Sequence, residues 1–202
     1  MSHALTVGWV LRASTAGFTV GSRVLQPSVP HFGDLVKVPL ISAETSIFGL
    51  VYDVQVRDDP AVRQLILAGE MEPEAVLDQR ENRLVPIEIS VLAVGYRQKT
   101  QIWQGLPPQP PLSLDVLYMC DDAELRAFTQ NLDYLRLVLN AAKIPADELL
   151  VAHLRRAAAA RPTESRRDFL VTAGREAARL LNNDLIRLDT VLKRIRPEQV
   201  AG

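Results

Sequence analysis

Ile47-Phe-Gly-Leu-Val-Tyr-Asp-Val-Gln-Val56 is the stretch that decides the fold, because it is the strongest strand signal in the chain. With a period of two, Leu50, Tyr52, Val54 and Val56 share one face. On its N-terminal side, Leu35-Val-Lys-Val38 alternates apolar and polar residues and then meets Pro39. Further back, Thr6-Val-Gly-Trp-Val-Leu11 is rich in strand-forming residues and ends in Arg12-Ala-Ser-Thr-Ala-Gly17. Phe18-Thr-Val20 follows that turn directly, so the two runs suggest a hairpin. On the C-terminal side, Pro86-Ile-Glu-Ile-Ser-Val-Leu-Ala-Val-Gly-Tyr96 is a second long strand, extended by Gln101-Ile-Trp103.

So many short strands leave many unpaired edges, and closing them into a barrel of about six strands removes the problem. Gly8, Gly49 and Gly95 suit the bends such a barrel needs. Between the two long strands, Asp59 can cap and Pro60 can open a short helix running to Leu67, followed by the acidic stretch Gly69-Glu-Met-Glu-Pro-Glu74. The segment Gly105-Leu-Pro-Pro-Gln-Pro-Pro111 is stiff and extended, and is expected to join two halves of the chain.

Eight of the ten glycines and ten of the thirteen prolines lie before residue 115, and the period then becomes helical. Asp121 or Asp122 caps a run carrying Leu125, Phe128, Leu132, Leu135 and Leu139 on one face. A second helix starts at Pro145 and stops near Pro162. A third starts at Thr163 and carries apolar positions from Leu170 to Ile195, with Asn182-Asn183 as a kink or a break. The fold class is therefore α+β: a small β-barrel over residues 1–118 and an α-helical region over 119–202.

Composition narrows the function. At 202 residues, 48% hydrophobic and 23% charged, the chain can bury a sizeable core. The net charge of -1 sets up no general attraction to nucleic acid, although residues 1–115 carry -3 and residues 116–202 carry +2. The N-terminus lacks the pattern of a signal peptide and no segment has the ~20 apolar residues of a membrane span, so the expected compartment is the cytoplasm. Cys120 is alone in an apolar run and is expected to be a packed thiol.

Chemistry-bearing motifs are absent. No glycine is followed by lysine, which excludes the GxxxxGK[ST] phosphate loop, and neither GxGxxG nor GxSxG occurs. His3, His31 and His153 have no partner at metal-ligand spacing, so neither a metal nor a cofactor is expected. Asp58 and Asp59 with His31 form the best enzyme reading, against which a helix cap before Pro60 explains both carboxylates. Glu70, Glu72 and Glu74 look like a solvated loop, and Glu88 like an outward strand residue. Arginines crowd the last helices. Arg175 and Arg179, four apart on one face, could contact nucleic-acid phosphates, whereas the interleaved acids suggest a solvated, charge-paired surface.

Four segments in order, Val7-Gly-Trp-Val with Phe18-Thr-Val, then Gly33-Asp-Leu-Val-Lys-Val, then Ile47-Phe-Gly-Leu-Val-Tyr-Asp-Val, then Pro107-Pro-Gln-Pro-Pro, resemble the HAS-barrel. This small barrel is shared by HerA-type DNA translocases and rotary ATP synthases. The resemblance covers residues 5–118, and helices without a Gly-Lys pair stand where the translocase enters its ATPase core. It implies the family's assembly role without the motor. The expected function is thus a non-catalytic assembly or interaction module, self-associating or accessory to a HerA-like DNA-processing ATPase or a NurA-type nuclease. Direct nucleic-acid binding through the arginine-bearing helices is the second reading. Candidate interface residues are Trp9, Trp103, Phe128 and Tyr134, and candidate nucleic-acid contacts are Arg175 and Arg179.

Overall fold

The computed structural model describes residues 6–24, 30–40, 44–56, 63–64, 67 and 85–196. The acidic stretch 69–74 and the candidates His3, Asp58 and Asp59 lie outside the described residues. So does the short helix expected after Asp59, apart from Arg63, Gln64 and Leu67, which are helical.

Seven strands come first: β1 Thr6–Ser14, β2 Gly17–Val24, β3 Leu35–Leu40, β4 Thr45–Val56, β5 Val85–Gln98, β6 Gln101–Trp103 and β7 Val116–Met119. Every pairing is antiparallel. The pairing β2–β5 closes the order β2-β1-β7-β3-β4-β5 into a six-strand barrel, with β6 a hairpin extension of β5. The closing strand β7 falls in the run Val116–Met119, which has neither strand length nor flanking alternation to announce it. It bridges β1 (Trp9 opposite Val116) and β3 (Val36 opposite Met119). Val10, Val20, Val38, Ile47, Val51, Ile89 and Leu117 fill the interior, and branched side chains suit so narrow a barrel.

Strand β4 departs from a simple period of two. The register shift between Phe48 and Gly49 leaves Val94 of β5 as the extra residue, whereas that between Val51 and Asp53 leaves Tyr52 of β4 as the extra residue and rotates the side chains beyond it. Ile47 and Val51 point into the barrel, whereas Phe48, Leu50 and Tyr52 join the helix-side cluster. Val54 packs with the barrel, and Val56 is largely exposed. The expected common face of Leu50, Tyr52, Val54 and Val56 is thus broken by the bulge at Tyr52. A strand buried on both sides shows as an unbroken apolar run, which is how Ile47 to Val51 behaves.

Five helices follow: α1 Asp122–Phe128, α2 Leu135–Leu139, α3 Ala146–Ala159, α4 Thr163–Leu180 and α5 Leu185–Ile195. Asp121 caps α1 in a reciprocal box with Glu124. The run expected as one helix through Leu139 breaks after Phe128 because polar side chains take up the backbone groups freed there. Gln104 donates from Nε2 to the carbonyls of Phe128 (2.7 Å) and Asn131 (2.8 Å) and accepts the Tyr134 N–H through Oε1 (3.2 Å). Arg161 donates to the Thr129 carbonyl and hydroxyl. At Asn182-Asn183 the chain splits rather than kinks, and Asp184 caps α5 by accepting the Arg187 N–H. Helix α3 packs against α2, α4, α5 and β4 and so forms the middle of the helical layer. Among the described residues no helix is long and apolar enough to cross a membrane.

If β7 closes the barrel, truncating its fully buried Leu117 to alanine costs about 2–5 kcal/mol. Urea unfolding followed by circular dichroism reads this loss directly, and a shift equivalent to less than about 1 kcal/mol would show that β7 contributes no core.

Candidate interaction surface

Two of the four candidate interface residues are interior. Phe128, at the end of α1, and Tyr134, just before α2, are fully buried in a line of rings that begins on the barrel. Phe48 lies 5.1 Å from Phe128, Phe128 5.0 Å from Tyr134, and Tyr134 5.5 Å edge-on from His153. These are tilted geometries that favour ring edges over ring faces. Gly95 leaves room for the line, since a Cβ there would stand 2.8 Å from Phe128 Cε2. The burial of Phe128 and Tyr134 leaves Trp9 and Trp103 as the surface pair.

The line ends in a polar clamp. The His153 Nδ1–H donates to the Gly33 carbonyl at 3.0 Å, and Nε2 accepts from the Tyr134 hydroxyl at 2.8 Å. Because a carbonyl only accepts, this assignment fixes a neutral imidazole protonated on Nδ1. Burial pulls the His153 pKa down to about 4, with the Gly33 bond opposing it and Arg161 and Arg156 adding to it. Burial likewise raises the Tyr134 hydroxyl well above its ordinary value, so it stays protonated and donates. Gly33 has φ +88°, and a Cβ on it would come within 2.9 Å of the Ala152 Cβ and the His153 nitrogen. Sequence alone places His153 within a helix. Nothing in its neighbours signals the Gly33 partner 120 residues away.

The surface pair stands on the barrel. Trp9 is 50% exposed and its neighbour Leu11 55%, with Leu11 packed over Gly21 of β2. Alongside them runs the loop 112–115, whose Leu112 and Leu114 are 70% and 77% exposed. The loop is fastened to β1 at three points. The Leu114 N–H donates to the Val10 carbonyl at 2.9 Å, the Val10 N–H donates to the Asp115 carbonyl at 2.9 Å, and Ser113 Oγ donates to the Leu11 carbonyl at 3.3 Å. Asp115 Oδ2 accepts the Leu112 N–H and closes the turn. Leu114 takes φ +74°, a left-handed backbone that a bulky side chain rarely adopts. Leu11, Leu112 and Leu114 are surface members that sequence reasoning missed, because Leu11 ends a strand-forming run whose faces are not marked and Leu112 and Leu114 follow the prolines in a stretch with no period. Trp103 lies apart, half exposed on β6 with the exposed Leu106 nearby in sequence.

The remaining candidates fall elsewhere. His31 has a largely exposed side chain and joins a turn in which its N–H donates to Asp34 Oδ2 at 2.8 Å. Cys120 is buried, and burial first and Glu124 next push its thiol well above the ordinary range. Among the described residues no group of three or more His, Cys, Asp or Glu side chains is placed to hold a metal. Arg175 is exposed, whereas Arg179 is held by both oxygens of Glu176 at 2.9 and 2.6 Å.

The clamp sets a pH dependence with a definite sign. As pH falls below 6.5 the unfolded imidazole takes up a proton, while the folded one resists until about 4, so stability contributed above pH 6.5 is lost on acidification. The loss approaches about 3 kcal/mol by pH 4 at ~1.4 kcal/mol per pH unit. Urea titrations at a series of pH values should show this slope in the wild type and a shallower one in His153→Gln. Tyr134→Phe, which strips Nε2 of its donor, is expected to cost about 1–3 kcal/mol at neutral pH. No protein-family model matches the chain, and no curated protein matches it.

Proposed function

We propose that this chain is a non-catalytic assembly module, working in the cytoplasm, that seats a protein partner on the barrel surface formed by Trp9, Leu11, Leu112 and Leu114. The observation that carries the reading is the group of four large apolar side chains exposed on β1 and the loop fastened to it. A loop free to relax would turn its leucines inward. This one is bonded to β1 at three points and holds Leu114 in a strained backbone, which keeps apolar surface in water. Apolar groups clustered on a surface in this way mark protein contacts, and tryptophan is among the residues that anchor them.

The resemblance of residues 5–118 to HAS-barrels points to the kind of partner. By that resemblance the chain serves a HerA-like DNA-processing ATPase or a NurA-type nuclease, contributing a barrel without a motor. A closed six-strand barrel suits such a role, since it has no strand edges of its own to pair wrongly.

The test is association of the purified chain with itself and with a HerA-like ATPase or NurA-type nuclease of the same host, by size-exclusion chromatography with light scattering. Trp9→Ser is expected to weaken the association at least about tenfold, as loss of a hot-spot tryptophan does. Leu114→Gly separates binding from folding. It removes an anchor but also relieves the positive-φ strain, so stability stays within about 1 kcal/mol of wild type while association falls. A chain that stays monomeric and binds neither partner, or variants that associate as well as wild type, would overturn the proposal.

A further inference from the structure

Helix α4 meets α5 along a line that leaves an open groove of about 530 Å³. Its lining is apolar: Leu170, Val171, Gly174 and Ala178 from α4, with Leu192 and Ile195 from α5. Glycine weakens a helix interior, yet at Gly174 a Cβ would stand 3.2 Å from Leu192 Cδ2, so its lack of a side chain keeps the groove deep where the helices approach. Val171 is 44% exposed in the middle of α4, an apolar residue on a helix that otherwise turns charged groups and threonines to water.

Three arginines, Arg167, Arg175 and Arg196, line the same groove. Among the described residues no side-chain hydrogen bond or ion pair is made by any of the three. Most arginines around them are engaged: Arg156 with Asp122, Arg161 with Thr129, Arg179 with Glu176, Arg187 with Asp147 and Arg194 with Glu148. Arg167 and Arg175 are eight positions apart on α4, which is two turns plus a fraction, or about 12 Å along the axis.

We propose that this groove docks an acidic amphipathic helix supplied by another protein. Its apolar residues, spaced three or four apart, sit over Gly174 and Ala178, and carboxylates about two turns apart meet Arg167 and Arg175. Charge complementarity selects this occupant. A second copy of the chain docked face to face would set the three unpaired arginines against themselves. A nucleic acid would gain from a row of cations but has little use for an apolar floor without an aromatic ring to stack on, and Arg179, which would extend such a row, is already bound to Glu176. The groove lies on α4 and α5, not on the barrel surface around Trp9, so the inference stands apart from the function proposed above.

The test is selection from a displayed library of helix-forming peptides, with apolar positions fixed at helical spacing and all others random, against the full chain. Recovered sequences should be enriched in Asp and Glu about two turns apart. A synthetic consensus peptide should lose at least about tenfold in affinity on the variant Arg167→Glu/Arg175→Glu/Arg196→Glu, and the same peptide with Lys for Glu should regain binding to that variant. Val171→Asp, which leaves the arginines in place, should also abolish binding. All four side chains are at the surface, and an unchanged circular dichroism spectrum shows that the variants fold. A library that yields no binder, binders without acidic bias, or affinity indifferent to the arginine reversal would each overturn the proposal. So would a single-stranded DNA oligonucleotide bound through these arginines where peptides are not, or a dimer in light scattering that Val171→Asp dissolves.

Discussion

The contact on which the rest of the structure depends is the line of rings from Phe48 through Phe128 and Tyr134 to His153, closed by the bond from His153 to the Gly33 carbonyl. It begins on β4 and returns to the barrel at the loop before β3, so the helical layer is held at both ends of one buried path. Phe48 and Leu50 leave the barrel wall on the helix side while Ile47 and Val51 leave it on the inside. The barrel therefore presents to water a strand that is apolar on both faces unless the helices cover it. Separating the two would expose Phe48, Leu50 and Val94 together with much of the helical core, at roughly 25 cal/mol for each Å² of apolar surface.

Polar groups decide where the helices stop. The stretch between α1 and α2 gives up intrahelical bonds, and a buried N–H or carbonyl left alone there would cost more than the bond it lost. Gln104 arrives from the end of β6 with a donor and an acceptor on one side chain, and Arg161 arrives from the end of α3 while stacking 3.7 Å over the Phe169 ring. The described buried side-chain polar atoms all find partners. The break between α1 and α2 is thus stabilised from two distant points in the sequence, and it is what allows Phe128 and Tyr134 to lie 5.0 Å apart in the core.

This explains what could be read in advance and what could not. Strands β1 to β5 follow from local alternation and turn residues, whereas β6, expected as an extension of β5, turns back to pair with it, and the start of α1 follows from a cap at Asp121 or Asp122. The closing strand β7 does not, because four residues carry too little pattern and its pairing with β1 and β3 is set by ring closure. The bulge at Tyr52 in β4 is equally silent in the sequence, and it defeats any assignment of faces by counting twos across it. Apolarity alone does not separate Trp9, which is half exposed, from Tyr134, which is not exposed at all. The difference lies in what packs on top: α3 covers one, and no described element covers the other.

Ring order explains why Trp9 is left uncovered. In the closed sequence β2-β1-β7-β3-β4-β5, strand β1 is three steps from β4 in either direction, so the two lie across the barrel from each other. One layer of helices, anchored on the outer face of β4 by Phe48 and Leu50, cannot also reach β1. A barrel of this kind can solvate its far side with polar residues. Here β1 and its attached loop instead carry tryptophan and three leucines, one of them strained to remain outward. Closure removes the edges, the helices cover β4, and the apolar surface that neither step accounts for is found on β1 and its loop, where no described element covers it.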